Sequence, residues 1–182
     1  MSFGLIMREA DRIASRRDTI LQSSLRERPT LLYWIRAWFP VGLAVLMIAM
    51  ESTEYLGANH TSGPLRWLWE HLFGPVTERA WALIHHVLRK TGHFTGYGIV
   101  ALTWLRAFWM SLPRLNFLQA ATLALAGTAL TASADEFHQT FLANRTGLAS
   151  DVLLDCCGAV CIQLAFFLVI KLTTQTWFDR PV

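Results

Sequence analysis

Four long stretches of this chain are almost free of charge, and they constrain its fold more than any other feature. Trp34 to Met50 carries only Arg36, and Phe94 to Met110 only Arg106. Phe117 to Ala134 carries none, and Val152 to Leu172 carries Asp155 and Lys171. A helix needs about 20 apolar residues to cross a bilayer, within a range of about 17 to 25. The blocks meet that length and are too uniformly apolar for half-buried soluble helices. They predict an all-α integral membrane protein with four transmembrane helices, at about 33–50, 93–110, 117–134 and 152–172. The second is the least uniform: Arg106 must snorkel to the interface, or the helix must begin before Phe94.

Composition closes off other classes. Apolar residues make up 53% and charged residues 16% of the 182, against about 25% charged in soluble domains. Mean hydropathy is +0.35. Such a balance excludes a disordered chain, a coiled coil and, despite a pI near 9.0, most nucleic-acid binders. An odd cysteine count of 3 excludes a disulfide-stapled scaffold. The length favours one domain.

Residues 1–32 form a basic arm. Arg8, Arg12, Arg16, Arg17, Arg26 and Arg28 come without the apolar run of a signal peptide. Four acids in the same stretch argue against a mitochondrial presequence. Ile6, Ile13 and Ile20 repeat at seven, which suits either a surface helix or a solvated tail. With this arm cytoplasmic, eleven of the 16 Lys and Arg fall inside, and Arg66, Arg79, Arg89, Lys90 and Arg145 fall outside. The positive-inside bias therefore places both termini in the cytoplasm, with outer loops at about 51–92 and 135–151.

The first outer loop has structure of its own. After Gly63-Pro64, Leu65, Leu68, Trp69, Leu72 and Phe73 share a helical face. After Gly74-Pro75, Val76, Ala80, Leu83, Ile84 and Val87 do the same. Both predict short amphipathic helices, lying in the interface or on top of the bundle. Charges interrupt each stretch and exclude a fifth span.

Every histidine (60, 71, 85, 86, 93 and 138) falls in or beside these outer loops. Lys90, His93 and Tyr97 open the second span at helical spacing. Asp135, Glu136, His138 and Gln139 close the third. Arg145, Asp151 and Asp155 lead into the fourth. Ionisable groups at membrane depth face the bundle interior and take a partner. For Asp155 the partners on offer are Lys90, His93 and Arg145. A structural ion-pair cluster locking the helices together is one reading of this convergence. His85-His86 point apart on a helix and read as solvated. Cys156, Cys157 and Cys161, and Gly92, Gly96, Gly98 and Gly127, read as small residues at close helix contacts. Ser133 lacks the turn of a hydrolase nucleophile. Trp104, Phe108, Trp109, Phe166 and Phe167 suit lipid or partner helices.

Lys90-x-x-His93-x-x-x-Tyr97, then Asp135-Glu136-x-His138-Gln139, Arg145 and Asp151-Val152-Leu153-Leu154-Asp155-x-x-Gly158, resembles the VanZ-like family of bacterial membrane proteins. The resemblance runs from about Val41 to Cys161 and includes Glu51-Ser52-Thr53. It departs at Ala143-Asn144, where Pro-Gly is common, at Asp155, where Asn is common, and at Cys161. It implies a helical bundle at residues 33–182 in the bacterial cytoplasmic membrane and a link to teicoplanin resistance.

Three functions fit these residues. In the first, an outward-facing site binds or acts on an anionic envelope-lipid or cell-wall precursor head group. Lys90, Tyr97, His138, Gln139, Arg145, Asp151 and Asp155 line it, and Asp135, Glu136 and His93 supply acid–base chemistry. In the second, His93, Asp135, Glu136, His138 and Asp151 ligate a divalent metal. No tight metal motif is present, so no cofactor is required by the sequence. In the third, the chain is a non-catalytic accessory subunit of a membrane complex. Membrane lipids are its expected partners, other membrane subunits an open alternative, and nucleic acid is not expected. Enzyme and binder are both compatible with the residues.

Overall fold

The computed structural model describes residues 29–53, 58–142 and 145–173. The basic-arm readings at residues 1–28, the departure at Ala143-Asn144 and the residues after Thr173 lie outside them. By internal packing the chain divides into Met1–Trp34 and Ile35–Val182. In the first unit, Thr30 Oγ1 accepts from Tyr33 N at 3.3 Å and the rings of Tyr33 and Trp34 meet edge to face.

Five helices are described: α1 (Leu31–Glu51), α2 (Ala58–Phe73), α3 (Glu78–Ser111), α4 (Phe117–Gln139) and α5 (Ala149–Thr173). Their ends follow local chemistry. Gly74, at φ 90°, ends α2 in the left-handed conformation that glycine adopts freely, its N–H returning to Glu70 O at 3.0 Å. Thr77 caps α3 by accepting from Ala80 N. Asn116 and Gln119 exchange side-chain bonds to each other's backbone N–H at 2.9 and 3.0 Å, a capping box that opens α4.

Three of the helices, α1, α4 and α5, are long and apolar enough to cross a membrane. Leu118, Leu130, Leu153 and Leu172 are each more than two-thirds exposed, as expected of side chains that meet lipid rather than water. The bounds differ from expectation in an instructive way. The anticipated interfacial helix after Pro75 and the second span are one continuous helix of 34 residues, α3. No proline interrupts it, and Gly92 alone does not break the i→i−4 ladder. Its first half carries Glu78, Arg79, Arg89 and Lys90. α4, the anticipated third span, reaches Gln139, and α5, the anticipated fourth, begins at Ala149, so the acidic motifs are helical.

α3, α4 and α5 pack on one another along their lengths. α4 runs back against α3, and α5 returns alongside, its Gly158 against Phe94. A Cβ at Gly158 would stand 2.0 Å from Phe94 O, so only glycine permits that approach. Gly98 lies beneath Ile162 and Gly127 beneath Trp104. Gly92 and Gly96 do not serve this purpose: nothing lies within 4 Å of a Cβ there, and both border an open cleft. At the end of the bundle holding the α3–α4 connection, Trp104, Phe108, Trp109 and Phe166 pack around Leu105, Ala120 and Ala124. These aromatics pack within their own bundle. Cys157 and Cys161 are exposed and make no tight contact of the kind expected of them.

α1 joins through side chains. Trp38 Nε1 donates to Ser111 Oγ at 2.9 Å, and its ring meets Trp104 and Phe108 edge to face. Pro40 lies inside α1 and lacks the N–H that would bond the Arg36 carbonyl. Arg106 supplies it, its Nη1 donating to Arg36 O. The one charge in the second apolar block thus satisfies a carbonyl freed by proline.

Candidate functional site

At the opposite end of the bundle, the α3, α4 and α5 segments that carry the polar motifs converge. Helical register does most of this. Lys90, His93 and Tyr97 stand on one face of α3, Asp135, Glu136 and Gln139 occupy the last turn of α4, and Asp151 and Asp155 lie one turn apart in α5. Lys90 Nζ pairs with Asp151 Oδ1, to which Ser150 Oγ also donates. Tyr97, fully buried, donates its hydroxyl to Asp135 Oδ2 at 2.9 Å. His93 Nδ1 lies 3.3 Å from Asp155 Oδ1, at ion-pair distance but without hydrogen-bond alignment, and its ring stacks on Tyr97.

The loop from Arg145 to Leu148 closes the site. A Cβ at Gly147 would stand 2.1 Å from Glu136 O, so glycine lets the loop lie directly on the end of α4. That contact brings Leu148 N to donate to Glu136 Oε2 at 2.7 Å. Arg145 Nη2 donates to the carbonyls of Glu51 and Thr53 at 2.7 and 3.2 Å, stitching the C-terminal end of α1 to the site. Burial, reinforced by the nearby charge of Arg89, lowers the Arg145 pKa from its ordinary value.

Two clefts open beside this cluster. One, of about 670 Å³, has Trp81, His85, His86, Arg89, Lys90 and Arg145 among its lining groups. The other, of about 500 Å³, shares Arg89, His93, Gln139 and Arg145 and adds Tyr97 and Asp135. Among the described residues Arg89 makes no hydrogen bond or ion pair. His85 stacks on Trp81, and burial followed by the Arg89 charge lowers its pKa from the ordinary histidine value. Arg66 bridges α2 to α3 by pairing with Glu70 at 2.9 Å and with Glu78, which lines the first cleft. Those two hydrogen bonds, Glu78 first, raise its pKa.

Nine of the ten residues singled out from the sequence are therefore neighbours: Lys90, His93, Tyr97, Asp135, Glu136, Gln139, Arg145, Asp151 and Asp155. His138 stands apart. Its Nδ1 meets Ser52 Oγ at 2.9 Å, beside a separate, mostly apolar groove between α1 and α4. Sequence reasoning missed Arg89 and His85. Their signal was present, since they lie one and five residues before Lys90 on what proves to be the same helix. Reading that stretch as a separate interfacial helix hid it.

A family model described as VanZ/LLP1 matches residues 33–171. The chain belongs to the VanZ/LLP1 family. The match covers α1 to α5 almost entirely, and with three helices of membrane-spanning length it makes the chain a VanZ-like membrane protein. Among curated proteins and among solved structures nothing matches significantly.

Proposed function

We propose that this VanZ-like protein binds, through the cleft of Arg89, Lys90 and Arg145, the phosphate-bearing head group of an envelope lipid or cell-wall precursor. The apolar half of α3 supplies the fourth span, since about 20 helical residues at about 1.5 Å each cover the hydrocarbon core. Both termini are then cytoplasmic and the cleft faces outward, at the level of lipid head groups, in a bacterial cytoplasmic membrane.

The observation that carries this reading is Arg89, a cation common to both clefts that has no acidic partner among the described residues. A cationic side chain held half-buried without a counter-ion is a favourable place for an anion, and a guanidinium suits phosphate in particular. Lys90 and Arg145 face the same space but are already engaged, Lys90 by Asp151 and Arg145 by backbone carbonyls. They add positive potential, Lys90 held in place by Asp151 and Arg145 by the carbonyls of Glu51 and Thr53.

The test is binding of the purified protein to phosphatidylglycerol vesicles and to a polyprenyl phosphate, with phosphatidylcholine vesicles as the control. Binding to the anionic lipids is expected, and Arg89→Ala should weaken it by about tenfold or more with the melting temperature unchanged. Equal binding by Arg89→Ala, or equal binding to phosphatidylcholine, overturns the reading.

A further inference from the structure

Beneath the cationic clefts lies a second, chemically different feature. Asp155 is completely buried, Glu136 is 5% exposed and Asp135 9%. Three carboxylates in one buried cluster repel one another and lack water to solvate them. The hydrogen bonds present do not answer their needs. Asp155 Oδ1 and Oδ2, Glu136 Oε1, Asp135 Oδ1 and the Nδ1 of His93 have no hydrogen-bond partner among the described residues. Unsatisfied oxygens at this depth are rare enough to call for an occupant.

Their arrangement names its chemistry. His93, Glu136 and Asp155 each place one ligating atom within 4.8 Å of the other two. The atoms around a bound zinc stand about 3.3 Å apart, given metal–ligand bonds of about 2.0–2.2 Å. The separation of His93 Nδ1 from Asp155 Oδ1 is already 3.3 Å. The three residues come from three helices, so the cluster is held by the fold of the bundle.

We propose that His93, Glu136 and Asp155 form a binding site for a divalent transition-metal cation. One imidazole and two carboxylates suit Zn²⁺ or Mn²⁺. Asp135, fixed by Tyr97, stands beside the site and adds negative charge. Glu136 keeps its second oxygen on Leu148 N, which orients the ligating one. His93 also borders both clefts, so the site adjoins the space where an anion would enter. The ligand set differs from the one that sequence spacing suggested: Asp155 belongs to it, whereas His138 and Asp151 are engaged elsewhere. The site does not depend on the anion reading, because it rests on a different set of residues and is tested with the metal alone.

The experiment is elemental analysis of the full-length protein in detergent, after equilibration with Zn²⁺ or Mn²⁺ and removal of free ion, combined with thermal unfolding with and without a chelator. About one equivalent of metal per chain is expected, and the chelator should lower the melting temperature by several degrees. Asp155→Asn, which keeps shape and packing, should weaken metal binding by more than about tenfold and remove the chelator effect. His138→Gln should retain the metal. Arg89→Ala should retain it too while losing anion binding, so failure of the two proposals can be told apart. Absence of retained metal in the wild-type protein, with no chelator effect, overturns this one. So does Asp155→Asn binding metal as the wild type does.

Discussion

The two ends of the α3–α4–α5 bundle use the same helices and opposite chemistry. At one end Leu105, Ala120 and Ala124 sit within a shell of aromatic rings, and close packing is the whole of the interaction. At the other, Gly158 lies against the Phe94 backbone and Gly98 against the Ile162 side chain, but the groups buried there are Tyr97, Asp135, Glu136 and Asp155. In a membrane, helix association depends on close contact of small residues more than on hydrophobic transfer. The apolar end shows that these helices associate without polar groups. Burying three carboxylic acids at the other end is therefore not needed for the fold, and it points to function there.

The largest effect should come from breaking the close approach that both ends share. Gly158→Val places a side chain against Phe94 O and should destabilise the protein by about 3 kcal/mol or more, read as thermal unfolding in detergent. It should also separate His93 from Asp155 and abolish any binding at the polar end. Next, overfilling the apolar end with Ala124→Leu should cost about 2 kcal/mol, yet leave lipid and metal binding of the folded fraction intact. Loss of binding in Ala124→Leu would show that the two ends are one coupled unit.

Tyr97→Phe acts at the polar end alone. It leaves a second oxygen of buried Asp135 without a donor and should cost about 1–2 kcal/mol, less if a cation is bound nearby. The smallest effect belongs to α1. Arg106→Ala removes the donor to the Arg36 carbonyl and should cost about 1 kcal/mol. In a Pro40→Ala background the helix supplies its own N–H to that carbonyl, and the cost of losing Arg106 should fall toward zero. A double-mutant cycle measures the difference.

Much of this was legible beforehand, because hydropathy and helical spacing are local properties. The four apolar blocks lie on α1, the second half of α3, α4 and α5. The register of His93 with Tyr97 and of Asp151 with Asp155 also carried over directly. Harder to read was the join at residues 88–93, where the amphipathic pattern changes and the helix continues. Charge content suggested a boundary there, but helices end where backbone bonding is interrupted, and neither a proline nor a capping residue does so.

By itself the sequence determined that these polar groups occur where the apolar blocks begin or end and that helices of this kind belong in a bilayer, because period and apolar length set those outcomes. Only the tertiary structure decided which polar groups meet. His138 and Asp135 are three residues apart and near neighbours on α4, yet one turns to Ser52 and the other to Tyr97. His93, Glu136 and Asp155 come from three helices, and no spacing rule relates them. Their convergence depends on how closely α3 and α5 approach at Gly158 and on the loop that Gly147 lays over α4. Those are contacts between distant segments, fixed by packing rather than by any local pattern.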